Sequence, residues 1–200
     1  MDKSRFEEIA VDSTLSAINI AILGSGDFLK LLFGTASERR QKEWLEMLEY
    51  RMRYLEKRLS IETLNSDDLL LDAVYGSSQV AIRTSSREKK ELLCNAIVNT
   101  ALQQMQDFKV SLFITMIDHL TINHINFLVY LSSIKDPSSD HDEAFNSTDL
   151  SEKYGGRYIV HAMWNQLAIN GLVQGPQVEE ANKYLTPLGE EFLKFIHSPL

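Results

Sequence analysis

From Lys3 to Leu23 the apolar residues Phe6, Ile9, Ala10, Ala17, Ile18, Ala21 and Ile22 recur at helical spacing. Gly24-Ser25-Gly26 ends that pattern, and Asp27 can cap a short turn holding Phe28, Leu29, Leu31, Leu32 and Phe33 before Gly34 stops it again. The Phe28–Phe33 stretch is apolar enough to pack into a core or to meet a partner or membrane, and core packing is the reading adopted. A long charged helix is predicted from Ser37 to Leu59. In it Leu45, Leu48, Met52, Leu55 and Leu59 advance by threes and fours as an a/d seam, with Glu49 and Arg53 at i,i+4 on a charged face. Such a seam can be core within the chain or can pair with a second copy as a homodimer.

"SIETLNSDDLLLDAVYGSSQVAIRTS" predicts the next helix, with Leu70, Ala73, Val74, Ser77, Val80 and Ala81 on one face. "SSREKKELLCNAIVNTALQQM" opens on Ser85-x-x-Glu88, the pattern of a capping box, and its buried stripe reads Leu92, Leu93, Ala96, Ile97 and Thr100. "DFKVSLFITMIDHL" and "TINHINFLVYLSSI" follow over short connections, so antiparallel helical neighbours are expected. "KDPSSDHDEAFNSTD" then breaks the pattern as a surface loop. Beyond it, Asp149–Tyr154 predicts a short helix, Gly155-Gly156 a tight turn, and Arg157–Ile169 a further helix. Two apolar pairs, Leu172-Val173 and Tyr184-Leu185, bracket a polar loop with a Gly-Pro corner, the layout of a hairpin wing, and an amphipathic helix closes the chain.

From Thr121 to Ile196 the stretches "DLSEKYGG", "VHAMWNQLAINGLV" and "KYLTPLGEEFLKFI" resemble a winged helix-turn-helix domain. The fold class expected is therefore mainly α: a helical bundle over residues 1–118, then a winged-helix region with a small β-hairpin over 119–200. The whole chain is also similar to bacterial proteins of the abortive-infection alpha type. That resemblance lies in a Gly-interrupted amphipathic N-terminus, a charged helix, the "EKKELLCNAIVNTA" helix and the "MIDHLTINHINFLVYL" pair. It implies a bacterial or prophage origin and a role in resistance to phage, without enzymatic residues.

Charge decides how a wing would be used. In a helix-turn-helix the second helix would offer Arg157, Tyr158, His161 and Asn165 as a recognition surface, and Arg and Asn suit base edges. Trp164 is assigned to the core by Val160, Leu167 and Ala168 at helical spacing. From Lys135 onward, however, five basic residues (Lys135, Lys153, Arg157, Lys183, Lys194) meet ten acidic ones, and Glu179 and Glu180 occupy the wing. Phosphate contacts supply most DNA affinity, so this region starts in a repulsive field. Protein contact is the reading adopted, and a DNA-binding regulator is the alternative. Near the N-terminus, Arg39, Arg40, Lys42, Arg51, Arg53, Lys57 and Arg58 are interleaved with acids, a mixed solvated surface.

No catalytic or metal-binding pattern emerges. His119 and His124 are five apart across a helix boundary, where a zinc-protease pair needs i,i+4 and a neighbouring Glu. Asp140, His141, Asp142 and Glu143 lack the spaced ligands of a calcium loop. Gly24-Ser25-Gly26 lacks the third glycine and following Lys of a nucleotide cradle. Cys94, the single cysteine, sits in an apolar pattern as a buried free thiol, which suits a reducing cytosol. No cofactor, metal, secretory leader or membrane span is expected. The charge-free runs are too short or too polar for the roughly 20 apolar residues a span needs.

Overall fold

The computed structural model describes residues 38–59, 67–103, 105–134, 148–174 and 184–199. The readings made for the N-terminal helix, Gly24-Ser25-Gly26, Phe28–Phe33, Asp140–Glu143 and the wing loop lie outside these residues. Among the described residues the chain is mainly α-helical. In chain order the helices are α1 (38–56), α2 (Asp68–Arg83), α3 (Arg87–Gln103), α4 (Asp107–His119), α5 (Ile122–Ser133), α6 (Thr148–Tyr154), α7 (Arg157–Ile169) and α8 (Pro187–Ile196). None is long and apolar enough to cross a membrane. The chain divides into two compact units, Met1–Thr115 with Ile196–Leu200, and Met116–Phe195.

In the first unit α2 begins where the Asp67 carboxylate accepts from the Leu70 N–H at 3.0 Å. All six residues of its expected face are buried, joined by Ser78 and Ile82. α2 packs along α3. α3 is buried without interruption from Leu93 to Thr100, so its burial there is not confined to a single apolar stripe. Leu92, expected in that stripe, is only half-buried. The cap also moves by one residue. Ser86 Oγ accepts from the Lys89 N–H at 3.1 Å and donates to Glu88 at 2.9 Å. Of two adjacent serines, it is Ser86 whose hydroxyl accepts from an amide of the first turn.

α1 buries Trp44, Leu48, Met52 and Leu55, while Leu45 and Leu59 are half-buried. Of the two uses open to the seam, core within the chain or pairing with a second copy, Leu48, Met52 and Leu55 are buried within the chain, and the buried face is rotated toward Trp44. The indole explains the rotation. Its N–H donates to Ser78 Oγ at 2.9 Å, and that hydroxyl donates on to Val74 O at 2.7 Å, so a large ring enters the core with its polar atom satisfied. At the far end of the sequence Ile196–Pro199 returns to this unit. Asn95 and Asn99 donate to Ile196 O and His197 O at 3.0 and 2.9 Å, and the Tyr54 hydroxyl donates to Pro199 O at 3.2 Å.

In the second unit Thr121 starts α5 with a reciprocal box. Its hydroxyl accepts from the His124 N–H at 3.3 Å, and its own N–H donates to His124 Nδ1 at 3.2 Å. α7 packs on both α5 and α6, with Val160, Met163 and Leu167 inward. Phe127 meets Tyr154 edge-on at 5.9 Å. Gly155 and Gly156, at φ 89° and 124°, make the turn between α6 and α7, where a side chain would be strained.

The expected β-hairpin is corrected here. No strand forms among the described residues. Val173 and Leu185 make one isolated antiparallel bridge, flanked by Gln174 N–H to Tyr184 O at 2.8 Å and Thr186 N–H to Leu172 O at 3.1 Å. Among the described residues there is no winged-helix sheet, and the fold class there is mainly α. The sequence offers little for a ladder here, since each apolar pair is only two residues long.

Candidate functional site

The four residues expected on a recognition surface share the outward side of α7. Arg157, His161 and Asn165 follow one another at i,i+4, Tyr158 lies beside them, and all four are exposed. Arg157 Nε reaches His161 Nε2 at 3.4 Å, a long contact that leaves the guanidinium open to solvent. Sequence reasoning passed over the neighbouring apolar residue on this face. Ile169 is 80% exposed and Tyr158 is 91% exposed, and the helical repeat sets them on either side of Asn165 with Ala162 between. The signal was available: Ile169 falls out of step with Val160, Met163 and Leu167. Trp164, assigned to the core, is half-buried and meets Tyr184 edge-on at 5.9 Å.

The electrostatics of this face are sparse. Arg157 is its one permanent cation, and it carries no second Lys or Arg to form a phosphate-contacting row. The arrangement offers an aromatic and an aliphatic anchor with a cation, an imidazole and a carboxamide around them. Tyr and Arg are residue types enriched where proteins meet.

A second polar site escaped sequence reasoning. Between α1 and α3 lies a cavity of about 370 Å³ whose wall includes Tyr50, Arg51, Arg87 and three glutamates, Glu43, Glu46 and Glu91. Glu43 pairs with Lys90, whose side chain is fully buried. That bond holds the Glu43 carboxyl below the usual carboxylate range, aided by the charges of Lys90, Arg87 and Arg39 and opposed by desolvation. Pairing a wholly buried lysine with an acid 47 positions away leaves no trace in local periodicity.

Cys94 lies next to this region and is fully buried. Burial pushes its thiol up to about 12, against the opposing charge of Arg51 and with a small further rise from Glu91. A thiol so placed is neutral and shielded, so it is no nucleophile. The native protein is expected to resist iodoacetamide and to take up one equivalent only in denaturant; stoichiometric labelling of the folded protein within minutes would contradict this. Among the described residues no three His, Cys, Asp or Glu side chains converge in a way that could hold a metal ion. His124 is engaged with Thr121, its Nδ1 lying 2.6 Å from the Thr121 hydroxyl.

Comparison with protein-family models, curated proteins and solved structures finds no match for this chain. The description that stands is of a mainly α-helical protein in two compact units, with an exposed mixed face on α7.

Proposed function

We propose that this chain is a non-enzymatic interaction protein of the bacterial cytosol that docks a protein partner on the outward face of α7. The observation that carries the reading is the exposure of Tyr158 and Ile169, two apolar side chains, on a face that also displays Arg157, His161 and Asn165. An isolated exposed apolar residue is ordinary, but an aromatic and an aliphatic anchor framed by polar groups on one helix is the make-up of a contact patch. The partner that fits bears an apolar ridge with a carboxylate set to meet Arg157. Resistance to phage is the setting implied by the similarity to abortive-infection alpha-type proteins.

The alternative is a DNA-binding regulator, favoured by the exposure of Arg157 and Asn165 together. One experiment separates the two. A bacterial strain producing the chain is challenged with phage beside one producing the Tyr158→Ala, Ile169→Ser variant, with folding checked by circular dichroism. The purified chain is titrated against duplex DNA at low and moderate salt. The protein-contact reading expects protection that the double variant loses, and duplex binding weaker than roughly 10⁻⁴ M at physiological salt. Undiminished protection in the folded double variant would overturn it, as would submicromolar duplex binding abolished by Arg157→Ala.

A further inference from the structure

We propose that the exposed face of α7 receives the exposed face of α2 on a second copy of this chain, so that copies join head to tail. The inference rests on the α7 contact face proposed above and names its partner. α2 carries the ridge that such a partner needs. Leu71 and Tyr75, at i,i+4, are 43% and 55% exposed, and Asp68 and Asp72 stand exposed beside them at the same spacing. The one base of α2, Arg83, is at the far end of the helix.

The two faces match in charge and in shape. By helical phase, Arg157 and His161 lie on one flank of the α7 ridge, and Asp68 and Asp72 on one flank of the α2 ridge. When the two helices run parallel, these flanks fall on the same side. The shared i,i+4 step then sets Arg157 level with Asp68 and His161 level with Asp72. In that register Leu71 and Tyr75, about 6 Å apart along their axis, come between Tyr158 and Ile169, about 16 Å apart, and over the small Ala162. Like faces do not fit. α7 has no acidic residue, so two α7 faces would gather cations with no carboxylate to meet them, and two α2 faces would double the aspartates. Phe108 and Leu112 make another exposed pair on α4, but no two acids stand in step beside them. The contact is therefore heterologous: each copy uses its α7 face once and its α2 face once, and assembly runs to a ring or an open chain. One helix against one helix is a small interface, below roughly 1,200 Å², so the assembly is weak and concentration-dependent.

The full chain is followed by sedimentation velocity and light scattering from about 10 μM to about 1 mM. Its mean mass is expected to climb past that of two copies. A monomer at the highest concentration overturns the proposal, as does a plateau at two copies. Two variants, each checked for folding by circular dichroism, decide which faces meet. Tyr158→Ala, Ile169→Ser and Leu71→Ser, Tyr75→Ala are each expected to stay monomeric alone. Mixed, they are expected to form a one-to-one pair, because each keeps the face that the other has lost; a mixture that stays monomeric overturns the proposal. Arg157→Glu is expected to weaken assembly at least about tenfold, and Asp68→Lys in the same chain to restore it, since every copy then offers the reversed pair. Failure of that restoration overturns the alignment. A wild-type chain that stays monomeric, yet loses phage protection with Tyr158→Ala, Ile169→Ser, overturns the second copy as partner and leaves the α7 reading standing. Assembly lost with protection intact overturns the α7 reading instead.

Discussion

Gly189→Ala is expected to cost about 3 kcal/mol or more of stability in the second unit, seen as a lowered urea midpoint. A methyl group at this position would fall 2.1 Å from Leu172 O and 3.0 Å from its carbonyl carbon. The obstacle is main chain, which cannot rotate aside as a side chain can. It is also pinned, because Leu172 O accepts from the Thr186 N–H, while the Thr186 hydroxyl donates to Gly171 O at 2.6 Å and accepts from the Gly189 N–H at 3.0 Å. To admit the methyl, α8 must lift from the turn and break this stitching. Gly76→Ala supplies the contrast. There a methyl would meet only Ile114 side-chain atoms, at 3.7 Å, inside a helix where alanine is favoured by roughly 0.5–1 kcal/mol. One glycine-to-alanine change should therefore disrupt and the other stabilise. Equal effects at the two positions would refute the argument.

The second large effect is expected at Glu43. Glu43→Ala leaves the Lys90 ammonium wholly buried without its carboxylate, and about 3 kcal/mol should be lost. That is the low end for breaking a buried pair, because Glu43 itself keeps contact with water. Lys90→Met should cost far less, about 1 kcal/mol, since it replaces a buried charge by an apolar chain of similar length and frees an acid that water can solvate. The pH dependence has a definite sign. The Glu43 carboxyl is depressed in the folded state, so its contribution is complete above the unfolded carboxylate range of about 4.3 and fades as pH falls through the folded value. The gap between wild type and Glu43→Ala should narrow on going from about pH 7 to about pH 3.5. Urea unfolding of both proteins across that range measures it, and a gap that widens in acid would contradict the assignment.

How far periodicity carries can be judged from α2 and α7. The face Leu70 to Ala81 and the bounds Arg157–Ile169 follow from spacing alone, because each of those helices has one buried side and one wet side. In α3 four of the five stripe residues, Leu93, Ala96, Ile97 and Thr100, are buried as expected, but the burial extends around the helix, and the buried Lys90 looks like any surface lysine in a charged run. In α1 the seam is buried at Leu48, Met52 and Leu55 and half-buried at Leu45 and Leu59, while Trp44 was not foreseen. A leucine ladder is easily counted, while a tryptophan bonded to Ser78 depends on a residue 34 positions away. The wing was over-read from two short apolar pairs, which make a single bridge among the described residues. As for the sites, the four residues of the α7 face could be named from sequence, while Ile169 was missed. The Glu43–Lys90 pair could not be found, because it joins positions 47 apart.

The return of Ile196–Pro199 to the first unit sets an order on biosynthesis. Asn95, Asn99 and Tyr54 wait for acceptors 101, 98 and 145 positions downstream. A ribosome must first make residues 116–195, and at roughly 5–20 residues per second that interval lasts several seconds. During it the nascent chain lacks the Ile196 and His197 carbonyls that accept from Asn95 and Asn99. The unit whose residues are translated first is therefore the last to be completed.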